Sequence, residues 1–301
     1  MGEGSRSVLV FGATGRQGGS VVDALLRAQW PVRAFVRDAS APKAVALGDA
    51  GAELVQGSLS DPGAVRKAMS GVHGVFSVLP SNLPEDEEVR YGTGSADVAA
   101  ESGIAHFVYS SGANVGEKPT GVARFDAKPR IEAHVRALPL TSTIVRPTIF
   151  MEMLLLPGYG LDEGRFTFFL KPDQSMQLVA VEDIGKLVAA IFADRPRFAG
   201  KTLRLASDTV TGRELGEAFT AAAGRPIAYE RFSDEVLAAK PDLGHMATSL
   251  EAGPLADHVD LAVMRELYPD LRPFPSWLAG DGHEGFAEAL KTGGDSVGSQ
   301  K

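Results

Sequence analysis

Residues 8–19 read Val8-Leu9-Val10-Phe11-Gly12-Ala13-Thr14-Gly15-Arg16-Gln17-Gly18-Gly19, and they decide the fold. Ser7–Phe11 is a run of β-forming residues that stops at Gly12. From Gly15 to Gln29 the apolar residues Val21, Val22, Leu25 and Leu26 recur at helical spacing. A strand, a glycine turn and a helix therefore follow one another directly. The glycines stand as G-x-x-G-x-x-G. Gly12 permits the tight turn, Gly15 lets the backbone approach a pyrophosphate, and Gly18 lets the helix pack close to the strand. Backbone N–H groups and the helix dipole then favour an anionic diphosphate. In this setting the motif predicts a dinucleotide site.

The same alternation continues outward from this unit. Strands are expected at Val32–Val36, Glu53–Val55, Val75–Leu79, Ile104–Tyr109 and Thr141–Val145. Helices are expected at 41–50, after Asp61-Pro62, at Glu85–Ser102 and at Arg124–Leu138. Short loops between alternating strands and helices predict an α/β fold, a doubly wound parallel sheet with helices on both faces. After Pro147 the pattern loosens. Residues 1–150 are expected to form the nucleotide-binding domain and 151–290 a smaller C-terminal, substrate-side lobe. Within that lobe, residues 178–206 are expected to return a strand and a helix to the sheet, with Leu178–Val181, Glu182–Ala193 and Leu203–Ala206 as the pieces. The tail 291–301 is small and polar and is expected to fray.

Composition narrows the chemistry. The 301 residues include no cysteine, which excludes disulfides, thiolate metal sites and a cysteine nucleophile. With 38 acidic and 30 basic residues the net charge is −8, which argues against direct nucleic-acid binding. No apolar run approaches the ~18 residues of a membrane span, and the N-terminus lacks a signal-peptide core. A cytoplasmic protein that meets no membrane is expected. The six histidines show no metal-ligand spacing, so no metal is expected; His73 and His106 each read as turn residues before a strand. Phe166, Phe168 and Phe169 either line an apolar pocket or pack the small lobe.

The end of the second strand, Val36-Arg37-Asp38, bears on the nucleotide. Arginine there matches a ribose 2′-phosphate, whereas an acidic residue would bind a free 2′-hydroxyl. Arg37 favours NADP(H); if Arg37 is only a solvated charge and Asp38 binds the ribose, the cofactor is NAD.

Several stretches together resemble the NmrA-like family, atypical members of the short-chain dehydrogenase/reductase superfamily with a Rossmann fold. They are VLVFGATGRQGGSVV, AFVRD, GAELVQGSLSD, HFVYSSGANVG, RFDAKPRIEAHVR, STIVRPTIFMEML and VAVEDIGK, spanning residues 8–186, with a looser likeness around RPFPSWL near Trp277. The resemblance implies diphosphate contacts at Gly12, Thr14, Gly15, Arg16 and Gln17, and 2′-phosphate contact at Arg37. It implies that Ser58 and Leu59 flank the adenine, that Leu79, Pro80 and Ser81 lie along the cofactor, and that Lys128 reaches the nicotinamide ribose. Pro147, Thr148, Ile149 and Phe150 would wall the nicotinamide end.

Ordinary members of that superfamily place Tyr and Lys as Y-x-x-x-K on one helix face, so that the lysine charge favours tyrosinate. Here the segment is Arg124-Phe125-Asp126-Ala127-Lys128. Arginine does not deprotonate in proteins and cannot replace the tyrosine as an acid, although it can polarise a carbonyl. Candidate catalytic residues are therefore Lys128, Ser110, Ser111 and Arg124. Tyr109, by alternation along its strand, is expected to pack in the interior. Two functions fit. One is an NADPH-dependent reductase passing hydride to a small aromatic or quinone-like acceptor, with water or Lys128 delivering the proton. The other is a non-catalytic NADP(H)-binding redox sensor that acts through a protein partner.

Overall fold

The computed structural model describes residues 6–116, 120 and 122–291, without the side chains of Ala123 and Arg124. In chain order the strands are β1 (Val8–Val10), β2 (Val32–Val36), β3 (Glu53–Gln56), β4 (Gly74–Ser77), β5 (His106–Ser110), β6 (Ser142–Pro147), β7 (Ile149–Phe150), β8 (Arg165–Phe168), β9 (Ser175–Val179), β10 (Thr202–Leu205), β11 (Asp208–Thr211) and β12 (Ala228–Arg231). The chain forms two compact units. One runs up to Pro147 and includes Val181–Leu205; the other takes Thr148–Ala180 and the chain from Ala206 onward.

In the first unit, seven parallel strands are ordered β3-β2-β1-β4-β5-β6-β10. Strand order reverses beside β1, whose Val8 pairs with Val32 on one side and Gly74 on the other. A crevice at the carboxyl ends of the strands on either side of such a reversal is where doubly wound sheets take nucleotides. All three residues of β1 and all five of β5 are buried, as strands covered on both faces must be.

Among the helices that accompany these strands are α1 (Arg16–Arg27), α2 (Pro42–Asp49), α3 (Pro62–Met69), α4 (Glu85–Glu101), α5 (Ala123–Ala137) and α6 (Val181–Ala193). Pro62 opens α3, and Asp61 caps it by accepting from the Gly63 and Ala64 N–H groups. Small residues bring the helices together. A Cβ on Gly92 of α4 would stand 2.6 Å from Ile131 Cδ1 of α5, and one on Gly185 of α6 would stand 2.3 Å from Ser20 O of α1.

The structure sharpens one expectation here and changes another. Of the strands expected within 178–206, the one that joins the large sheet is β10. Of the segment read as Leu178–Val181, Leu178 and Val179 end β9, which pairs with β7 and β11 in the second unit, and Val181 opens α6. His106 is not a turn residue. It is the first residue of β5, fully buried, with Nε2 2.8 Å from Thr143 Oγ1 of β6. Burial, aided by the Arg195 charge, lowers its pKa to about 4.

The second unit holds the three-stranded sheet β11-β9-β7 and the parallel pair β12-β8, with short helices between Asp234 and Ala289. Its core is aromatic. Phe166, Phe168 and Phe169 are all buried; Phe166 packs on Phe219, and Phe168 stacks on Phe169 with ring centroids 3.9 Å apart. The three phenylalanines pack this unit, which settles the choice left open for them. The expected frayed tail lies outside the described residues from 292 onward.

Candidate functional site

The loop after β1 has the geometry its glycines require. Gly12 sits at φ +67°, a left-handed conformation that side chains rarely adopt, and a Cβ there would meet the Val78 carbonyl oxygen at 2.7 Å. A Cβ on Gly18 would fall 2.1 Å from the Gly12 carbonyl oxygen. The loop is thus pressed onto its own helix with room for hydrogen only. Gly15 is the N-cap of α1; no side chain caps the helix and its first turn carries no acid. The opening N–H groups of a helix have no partner within it and favour an anion. Backbone, close packing and dipole all suit a diphosphate at this turn.

At the end of β2 the two charged residues differ. Asp38 Oδ1 accepts from both the N–H and the hydroxyl of Ser40, at 2.8 and 2.6 Å. Those bonds hold its carboxyl below the usual value. Arg37 is exposed, and no ion pair or hydrogen bond engages it among the described residues. Ser58 and Leu59 follow the neighbouring β3, where Gly57 N donates to Val36 O and a Cβ on Gly57 would strike the Phe35 ring at 2.7 Å.

Further along the strand ends, Ser110 Oγ donates to Gln17 Oε1 at 2.7 Å, so the last residue of β5 is tied to the first turn of α1. Ser111 is buried beside it in sequence. Tyr109 is 1% exposed within the core. Burial, and then the Glu88 and Glu132 charges, push its hydroxyl well above its ordinary range, so it holds its proton. Lys128 lies on α5 with its stem near Gly112, where a Cβ would be 3.5 Å from its Cδ. Its Nζ donates to Glu88 Oε1 of α4 at 2.7 Å. Arg124 lies outside the described residues as a side chain.

Leu79, Pro80 and Ser81 follow β4, and Pro147 ends β6, where its carbonyl accepts from Ala113 N. Thr148, Ile149 and Phe150 belong to the second unit, where Ile149 pairs with Leu178. The first unit therefore carries the glycine loop, Arg37, Ser58, Leu59, Leu79–Ser81, Ser110 and Pro147 at or just past strand ends of one sheet, with Lys128 on α5 near Gly112. Thr148 to Phe150 are carried separately.

Sequence reading missed two carboxylates here. Glu88 is one of four consecutive acids that open α4, yet its side chain is 2% exposed. Its signal was positional: Glu88, Gly92, Ser95, Ala96 and Ala99 fall on one buried helix face. Glu132 of α5 is also buried and receives Arg146 Nε and Nη2 at 2.9 and 2.6 Å, with Arg136 Nη2 at 2.7 Å. Burial pushes its carboxyl up, but the Arg146 guanidinium, the Ser111 hydroxyl and the Arg136 guanidinium together outweigh that and hold it below the ordinary value. Among the described residues no group of three His, Asp or Glu is placed to hold a metal ion. No described helix is long and apolar enough to cross a membrane.

The chain is similar to several known proteins. An NmrA-like family domain-containing oxidoreductase of Malbranchea aurantiaca is 32% identical over 267 residues, 78% of each chain. An NAD(P)H azoreductase of Xenophilus azovorans is 30% identical over 224 residues, covering 74% of this chain and 76% of that protein. Among solved structures, an NADPH-dependent quinone oxidoreductase of Escherichia coli, complexed with NADPH, superposes with TM-score 0.77 at 20% identity, over 91% of this chain and 98% of that one. NmrA, a negative transcriptional regulator solved with NADP, gives TM-score 0.76 at 22% identity over 95% and 98%. The NmrA-like family model matches residues 4–278, a span that takes in the glycine loop, Arg37, Lys128 and the aromatic core of the second unit, and the chain belongs to the NmrA-like family.

Proposed function

We propose that this protein is an NADPH-dependent reductase that passes hydride to a small aromatic or quinone-like acceptor without a catalytic tyrosine. The observation that carries the cofactor choice is the contrast at the end of β2. Asp38 is occupied by Ser40, while the exposed Arg37 guanidinium has no partner among the described residues and matches a 2′-phosphate. The reductase reading draws support from the oxidoreductase and azoreductase relatives.

In this reading the Gly12–Gly18 turn and the α1 N-terminus bind the diphosphate, with Thr14, Arg16 and Gln17 around it. Ser58 and Leu59 border the adenine, and Leu79, Pro80 and Ser81 run beside the bound nucleotide. Lys128 Nζ holds the nicotinamide ribose, and Pro147 borders the nicotinamide. NADPH supplies the hydride when bound. Electron-poor acceptors take hydride without a strong side-chain acid, so the proton comes from water or from Nζ, and neither Tyr109 nor Arg124 is needed as an acid. Ser110, Ser111 and Arg124 remain the side chains to test for contact with the acceptor.

Calorimetric titration tests the cofactor assignment. NADPH is expected to bind at least about tenfold more tightly than NADH, with the difference removed in Arg37→Ala. Equal affinities, or NADPH affinity unchanged in the variant, overturn it. Arginine in the tyrosine slot and the fold shared with NmrA also suit an NADP(H) sensor with a protein partner. Tight NADPH binding with no turnover on any acceptor would select that second reading.

A further inference from the structure

The four acids that open α4 do not share one environment. Asp86 is 95% exposed and Glu87 44%; Glu85 is partly exposed and pairs with Arg130 at 2.9 Å. Glu88 alone is turned inward, with a side chain 2% exposed. A buried carboxylate is costly unless it is paired and hydrogen-bonded. Glu88 meets that condition at one oxygen only. Oε1 receives Lys128 Nζ at 2.7 Å, and among the described residues Oε2 is buried without a hydrogen-bond partner. The Glu132 carboxylate on the neighbouring helix shows the contrast, since both its oxygens receive arginine. A half-satisfied buried pair is poor as a stabilising device. It is the kind of local conflict that folds retain where it serves a site.

The lysine end fits that purpose. Lys128 is 23% exposed, its stem lies near the Gly112 backbone just past β5, and an ammonium has three donors. Glu88 takes one donor and fixes the position of the nitrogen. Lysine otherwise carries a long, flexible stem, and ordering it at the moment of binding costs entropy.

We propose that Glu88 is the positioning residue of Lys128: the buried carboxylate pre-aims Nζ, and through it Glu88 governs the grip on the nicotinamide half of the cofactor. This inference rests on the cofactor reading above. Glu88 touches no part of the nucleotide in this account, so its influence passes entirely through Nζ.

A double-mutant cycle on the full chain tests it, with two probes: NADPH, and adenosine 2′,5′-bisphosphate, which lacks the nicotinamide half. Glu88→Gln and Lys128→Ala are each expected to weaken NADPH about tenfold, and the double variant no more than the worse single one. Affinity for the bisphosphate is expected to stay within about twofold in all three. Glu88→Asp, which keeps the charge, is expected to recover part of the NADPH affinity and covers the case in which Glu88→Gln fails to fold. NADPH affinity unchanged in Glu88→Gln, fully additive losses, or equal weakening of both probes overturns the inference. Failure of the unsubstituted protein to bind NADPH overturns the cofactor reading itself, and that result appears before any variant is measured.

Discussion

Ser110 Oγ donates its hydrogen to Gln17 Oε1 across 2.7 Å, joining the end of β5 to the first turn of α1 although 93 residues separate them in sequence. The serine proton is thereby committed inside the protein. Ser110→Ala is expected to weaken NADPH binding about two- to tenfold through loss of the fixed Gln17, while kcat stays within about threefold. Calorimetry and steady-state rates separate these effects. A kcat loss of a hundredfold with unchanged NADPH affinity would instead make Ser110 a direct participant in the reaction.

Two neighbouring glycines give opposite predictions. A Cβ on Gly18 would stand 2.1 Å from the Gly12 carbonyl oxygen, so Gly18→Ala must displace backbone. It is expected to cost about 3 kcal/mol of stability and to abolish NADPH binding. Gly19 lies one residue on in α1, where a Cβ would be 3.4 Å from Ala13 O. Gly19→Ala is expected to be neutral or to gain up to about 1 kcal/mol from helix propensity. Denaturant melts of the two variants check the pair.

His106 predicts a pH dependence of stability. Its pKa is about 4 in the folded protein against an ordinary 6.5. The unfolded chain binds the proton first as pH falls, so the stabilisation is complete above pH 6.5 and is lost between 6.5 and about 4. The loss is at most about 3 kcal/mol. Glu132 acts in the same direction only below its ordinary 4.5. Thermal melts between pH 7 and 5 are expected to show a falling Tm that flattens in His106→Gln. An equally steep fall in the variant would assign the effect to another group.

Arg146 donates to both oxygens of the buried Glu132, through Nε to Oε1 and Nη2 to Oε2. Arg146→Ala leaves that carboxylate undercompensated and is expected to cost about 3 kcal/mol. The double variant Arg146→Met with Glu132→Leu is expected to recover most of the loss, because it removes the buried charge with its partner. Denaturant melts of both decide whether the pair is structural.

Local pattern carried much of the fold. The apolar runs from Val8 to Val145 and the helices between them follow from periodicity and from markers such as Asp61-Pro62. The glycine loop was equally legible, because backbone contact leaves a residue-type requirement at Gly12 and Gly18. What pattern could not show was pairing between distant segments. The strand at 175–179 looks like any other apolar run, and only its partners Ile149 and Val210 assign it to the second unit. His106 was misplaced because a polar residue before Phe107 resembles a turn, until Thr143 arrives from another strand to satisfy it. Glu88 was hidden by three acidic neighbours that do face solvent.

The central claim is tested most directly by mixing the protein with NADPH and a panel of quinones and following loss of the reduced-cofactor absorbance. Acceptor-dependent NADPH oxidation is expected, at least about tenfold slower with NADH and clearly diminished in Lys128→Ala. NADPH bound tightly but never oxidised by any acceptor, or turnover undiminished in Lys128→Ala, would contradict it.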